Sequence, residues 1–75
     1  MNEIELSIIL NKMIESAKKG EIYVQYHLFG IKYADIIKES NLSIENIVKN
    51  AGTQKSLASE IRKGTKLSKY VEIKN

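Results

Sequence analysis

The residue pattern of this chain predicts a mainly α-helical domain of four helices, and three observations carry that reading. Apolar residues recur at helical spacing over four separate stretches. No proline interrupts any of them. Glycine or a small polar pair stands at each break, at Gly20, Ser40-Asn41, Gly52 and Gly64.

The first helix is expected over residues 3–18. Leu6, Ile9, Leu10, Met13 and Ala17 share one face, and Lys18-Lys19-Gly20 has the chemistry of a helix C-terminus. Ile4 and Ile8 fall off that stripe among charged residues. They are expected either under the end of the chain or at the interface of a homodimer. Glu21-Ile22-Tyr23-Val24-Gln25 is β-prone. Residues 26–40 then return to helical period, with Phe29, Tyr33, Ile36 and Ile37 on the main face and Leu28 and Ile31 on the other side. A helix apolar on most sides is expected at the centre of the fold. Gly30 inside it costs about 1 kcal/mol relative to alanine, which points to close packing by a neighbouring helix.

Ser43 reads as an N-cap, and Ile44, Ile47, Val48 and Ala51 follow at i, i+3, i+4 and i+7. Gly52 ends this third helix. Thr53 is expected to cap the fourth, over 53–63, with Leu57, Ala58 and Ile61 inward and Gly64 at its end. In the tail, residues 65–75, Tyr70-Val71-Glu72-Ile73 alternates like a strand. A minimal two-stranded ladder between 22–24 and 71–73 is therefore part of the expectation, all within a single domain spanning residues 1–75.

Two short helices, 43–51 and 53–63, joined by a tight turn at Ala51-Gly52-Thr53 make a helix-turn-helix. Glycine admits the positive backbone dihedral such a turn needs. A unit of this kind lays its second helix in the major groove of DNA. Opposite Leu57, Ala58 and Ile61, that helix carries Lys55, Ser56, Ser59 and Lys63, with Arg62 at the flank, Lys66 just beyond, and Thr53-Gln54 at the tip. Glutamine reads adenine bidentately, hydroxyls serve several base edges, and cations read guanine or clamp phosphate. These eight residues are the candidate DNA-binding set, and double-stranded DNA is the expected partner.

Charge is distributed unevenly. Residues 1–48 carry five lysines against seven acids, and residues 49–75 carry seven cations against Glu60 and Glu72, so net charges of −2 and +5 lie behind the total of +3. A basic second half is what a surface facing a polyanion requires.

The segment Ile47-Val-Lys-Asn-Ala-Gly-Thr-Gln-Lys-Ser-Leu-Ala-Ser-Glu-Ile-Arg-Lys-Gly64 resembles the phage-repressor type of helix-turn-helix. Those domains usually have five helices and no strand-prone segment, so the likeness is looser outside the motif. More broadly, His27-Leu-Phe-Gly-Ile-Lys-Tyr-Ala34, Glu60-Ile-Arg-Lys-Gly64 and Leu67-Ser-Lys-Tyr-Val71 are similar to a family of small bacterial helix-turn-helix-like proteins. The resemblance spans nearly the whole chain. It implies DNA binding and transcription regulation, and it brings no operator.

Other function classes are disfavoured. With no cysteine and a single histidine, His27, neither a disulfide framework nor a thiolate metal site is expected. His27 reads as a helix-start residue. Tyr23, Tyr26, Tyr33 and Tyr70 suit core edges better than a stacking platform for single strands. No phosphate-cradling glycine loop or nucleophile motif is present, and 75 residues leave little room for a ligand cleft of about 300 Å³. No enzyme activity, cofactor or small-molecule ligand is expected. Acids at the N-terminus and the lack of a long apolar run predict a cytoplasmic protein, and abundant Lys, Ile and Asn, with AT-rich codons, suggest a low-GC bacterial or phage genome. The competing reading is a protein-interaction module, such as an accessory or antitoxin-like subunit of a bacterial defence or toxin-antitoxin system.

Overall fold

The computed structural model describes residues 1–74, which form four α-helices: α1 (Glu3–Glu15), α2 (Ile22–Glu39), α3 (Ile44–Asn50) and α4 (Ala58–Leu67). A 3-10 turn, Lys55–Leu57, leads directly into α4. Asn75, the last residue of the expected tail, lies outside the described residues.

Each boundary has a local cause. Asn2 and Glu5 form a reciprocal capping box that starts α1: the Asn2 side chain accepts from the Glu5 amide at 2.8 Å, and Glu5 accepts from the Asn2 amide at 3.1 Å. The helix stops at Glu15, short of residue 18. The Ser16 hydroxyl takes up the Lys12 carbonyl, and Gly20 at φ +84° turns the chain towards α2. At the end of α2, Asn41 adopts φ 53°, and the Leu42 amide reaches back to the Ile37 carbonyl at 2.9 Å. Leu42 packs against the core cluster to which Ile37 belongs, as the apolar half of such a cap requires.

No strand occurs among the described residues, which overturns the ladder expected between 22–24 and 71–73. Ile22, Tyr23 and Val24 form the first turn of α2 instead. Extending an existing helix gains a backbone bond for each residue fixed, whereas an isolated pair of three-residue strands is marginal. The partner is also misplaced. Val71 and Ile73 border a groove with Ile31, Lys32 and Asp35, in the middle of α2 rather than at its start.

The core joins all four helices. Leu6 and Leu10 of α1, Tyr26, Phe29, Tyr33 and Ile37 of α2, Ile47 and Val48 of α3, and Ala58 and Ile61 of α4 are buried together. The Phe29 and Tyr33 rings stack obliquely at 5.1 Å. α2 lies centrally, against both α1 and α4. Glu3 ties the start of α1 to the start of α3, accepting from the Ser43 amide at 2.6 Å and from the Asn46 side chain at 3.3 Å.

Gly64 does not end the fourth helix. It lies buried inside α4, which continues to Leu67 and so takes in the first residues of the expected tail. It faces Gly30 across the α2–α4 crossing. A Cβ built on Gly64 would fall 2.2 Å from the His27 carbonyl oxygen, and one on Gly30 would fall 2.2 Å from the Ile61 carbonyl oxygen. Two backbones in contact leave no volume for a methyl group on either side.

Candidate nucleic-acid interface

The turn between α3 and α4 is built by its own backbone. After the C-cap Ala51, Gly52 takes φ +74°, its amide bonds the Lys49 carbonyl at 3.0 Å, and the Thr53 amide bonds the Val48 carbonyl at 3.1 Å. Thr53 does not cap the following helix. Its hydroxyl donates to the Val48 carbonyl at 3.1 Å, closing α3 a second time. The Thr53 hydroxyl also lies against the buried phenol of Tyr26. Burial pushes that phenol above its ordinary range, and the neighbouring Thr53 hydroxyl partly opposes the shift. Gln54 is extended and gives no side-chain cap, so the helix that follows opens as a 3-10 turn.

From there the chain presents a continuous outer face. Lys55, Ser59, Arg62 and Lys66 recur at i, i+4, i+7 and i+11, and all four are exposed. Gln54, Ser56 and Lys63 are exposed beside them. Beneath, Ala58 and Ile61 anchor the helix to the core. Of the eight residues expected to meet DNA, seven therefore share the open side of this helix, and half-buried Thr53 serves the turn. The C-terminal tail, as far as Lys74, does not cover that side.

Carboxylates hold two of the cations. Arg62 Nη2 is paired with Glu45 Oε2, at the start of α3. Lys63 Nζ lies 3.1 Å from Glu60 Oε2. Glu60 also accepts from His27 Nε2 at 2.8 Å, so that imidazole nitrogen carries the proton. Those hydrogen bonds, first from His27 and then from Lys63, hold the Glu60 carboxyl below its ordinary range. His27 is thus a residue within α2 that clasps α4, not a helix start. Among the described residues, Lys55 and Lys66 enter no ion pair.

Periodicity could not show these pairings, because each joins residues 17 or 33 positions apart, or shares a carboxylate between two partners. The sequence also gave no hint of the groove of about 550 Å³ beside the turn, lined by Glu45, Asn46, Lys49, Gly52, Thr53 and Lys55. It is larger than the chain's length led us to expect. Tyr26 and Tyr33 are buried as anticipated, whereas Tyr23 and Tyr70, also expected at core edges, are 61% and 83% exposed.

The sequence pattern of the helix-turn-helix-like (HTH-like) domain family matches residues 2–74. The chain belongs to this family. As an HTH-like domain it comprises the whole four-helix unit rather than the α3–α4 pair alone, since the match begins at the N-cap of α1 and ends beyond α4. No curated protein and no solved structure matches the chain. Among the described residues, no helix of this HTH-like domain is long and apolar enough to cross a membrane.

Proposed function

We propose that this HTH-like domain is a small DNA-binding protein that regulates transcription, laying the helix from Lys55 to Leu67 in the major groove. One observation carries the reading. The outer stripe of that helix, Lys55, Ser59, Arg62 and Lys66, contains cations and a hydroxyl and no carboxylate, while Leu57, Ala58 and Ile61 lie underneath. A merely solvated helix alternates acids with bases, and here Glu60 is turned inward to His27. Gln54, Ser56 and Ser59 serve base edges near the N-terminal end of the helix, where a recognition helix approaches them. Lys55, Lys63 and Lys66 take phosphates, Arg62 lies between them, and Thr53 shapes the turn.

The charge arrangement sets the scale. With Lys55 and Lys66 unpaired among the described residues and Lys63 shared with Glu60, one domain contacts two or three phosphates. The expected slope of log affinity against log salt is then about −2 to −3. A single recognition helix reaches few base pairs, so specific binding calls for two copies on paired half-sites. Ile4 and Ile8, 63% and 51% exposed on α1, are the side chains we assign to that pairing.

The test is a gel shift on random-sequence duplex at two salt concentrations, with sedimentation of the free and bound protein. Binding that falls with salt at the stated slope supports the reading. Retention of a protein partner with little response to salt would favour an interaction module instead. The exposed Ile22, Tyr23 and Val24 at the start of α2 are suited to such a partner.

A further inference from the structure

Arg62 is the only arginine among twelve cationic side chains, and it stands in the middle of the outer stripe of α4. Glu45, in the first turn of α3, pairs with it at Nη2. Among the described residues, Nε and Nη1 make no hydrogen bond, and only the Arg62 backbone carbonyl accepts one, from Thr65. A guanidinium is planar with its donors in a fixed fork, so a carboxylate on one nitrogen sets the direction of the others. Both side chains are nearly half exposed, at 46% and 41%, so neither is sealed from a ligand.

That geometry separates two uses of an arginine at a DNA surface. A phosphate clamp works by net positive charge, and here the carboxylate of Glu45 cancels that charge and would face the phosphate. A base edge carries no net charge. The paired acceptors N7 and O6 of guanine need only two parallel donors held at a fixed angle, which a buttressed guanidinium offers. Arg62 is thus poorly placed for the first task and well prepared for the second.

Resting on the DNA-binding reading above, we infer that Arg62 is a specificity-determining residue that reads a guanine edge. Glu45 is its positioning residue. Affinity comes from Lys55 and Lys66, and discrimination at one G·C pair comes from the Glu45–Arg62 unit.

The experiment selects duplexes from a random pool with the full chain. It then measures binding to the selected duplex and to versions in which each G·C pair is inverted in turn, at two salt concentrations. Wild type should lose roughly 5- to 150-fold at one inverted pair in each half-site. Arg62→Lys keeps the charge and loses the fork, so the penalty at that pair should shrink to within about threefold while the salt slope is unchanged. Glu45→Gln should bind random duplex as well as or better than wild type, because a negative charge has gone, yet discriminate less at the same pair. A purely structural role for Glu45 does not yield that opposite pair of changes. The surface pair contributes little to folding, so both variants remain folded.

Three results would overturn the inference. Arg62→Ala could lower the salt slope by about 0.9 per bound copy with no base preference lost, which marks a phosphate clamp. Glu45→Gln could keep full discrimination, which removes Glu45 from the unit. The pool could yield no retained duplex, in which case the DNA-binding reading fails first and takes this one with it.

Discussion

Replacing Gly64 by alanine sets two effects of known sign against each other. Inside a helix, alanine is more favourable than glycine by about 1 kcal/mol, because glycine loses more backbone freedom on folding. Against this, the new Cβ would lie 2.2 Å from the His27 carbonyl oxygen, 2.9 Å from Gly30 Cα and 3.0 Å from the His27 carbonyl carbon. All three are backbone atoms, so no side chain can rotate away, and α2 and α4 must move apart by about 1 Å to restore ordinary contact distances. Forcing one extra methyl into a packed interface costs about 1–3 kcal/mol, and a contact this short between backbones belongs at the upper end. The net expectation is a loss of about 2 kcal/mol. In a domain this small that lowers the melting midpoint by roughly 8–16 °C. Urea unfolding followed by circular dichroism measures it, with the slope of the transition checked for constancy. Should Gly64→Ala match or exceed wild type in stability, helix propensity has won and the close crossing of α2 and α4 is wrong.

Other perturbations read out different parts of the molecule. Lys55→Ala combined with Lys66→Ala should weaken binding to random duplex and reduce the salt slope by about 1.8, with the melting midpoint unchanged. Gly52→Val places a β-branched residue at φ +74° and should destabilise the fold by about 2 kcal/mol in thermal unfolding, although open space surrounds the site. Glu60 has its carboxyl held low by His27 and Lys63, so its contribution is present above the ordinary carboxyl range and lost as pH falls through the depressed folded value. Glu60→Gln should therefore flatten the acid limb of the stability profile, with variant and wild type converging at the lowest pH, as followed by melting across a pH series.

Much of this fold is written in local pattern. The spacing of Leu6 and Leu10, Phe29 and Tyr33, Ile47 and Val48, and Ala58 and Ile61 marks the buried faces, because a helix turns every 3.6 residues whatever its neighbours do. Gly52 at φ +74° and the Ser43 cap are equally local, each serving amides or carbonyls a few residues away. So is the open stripe from Lys55 to Lys66, the complement of the buried one. These elements fix a four-helix domain with a helix-turn-helix and the face it turns outward.

Tertiary contact decided the rest. Residues 22–24 prefer strands in isolation, yet they join α2, because a strand needs a partner and 71–73 lies elsewhere. Gly64 has the chemistry of a helix end and is instead a contact surface, since only the crossing with Gly30 shows what a methyl group would strike. The pairings of Arg62 with Glu45 and of Glu60 with His27 turn a row of cations into a mixture of free, buttressed and shared charges. Periodicity records where a side chain points along its own helix. Which partner it meets depends on how separate helices pack, and that is set by the sum of all their contacts at once.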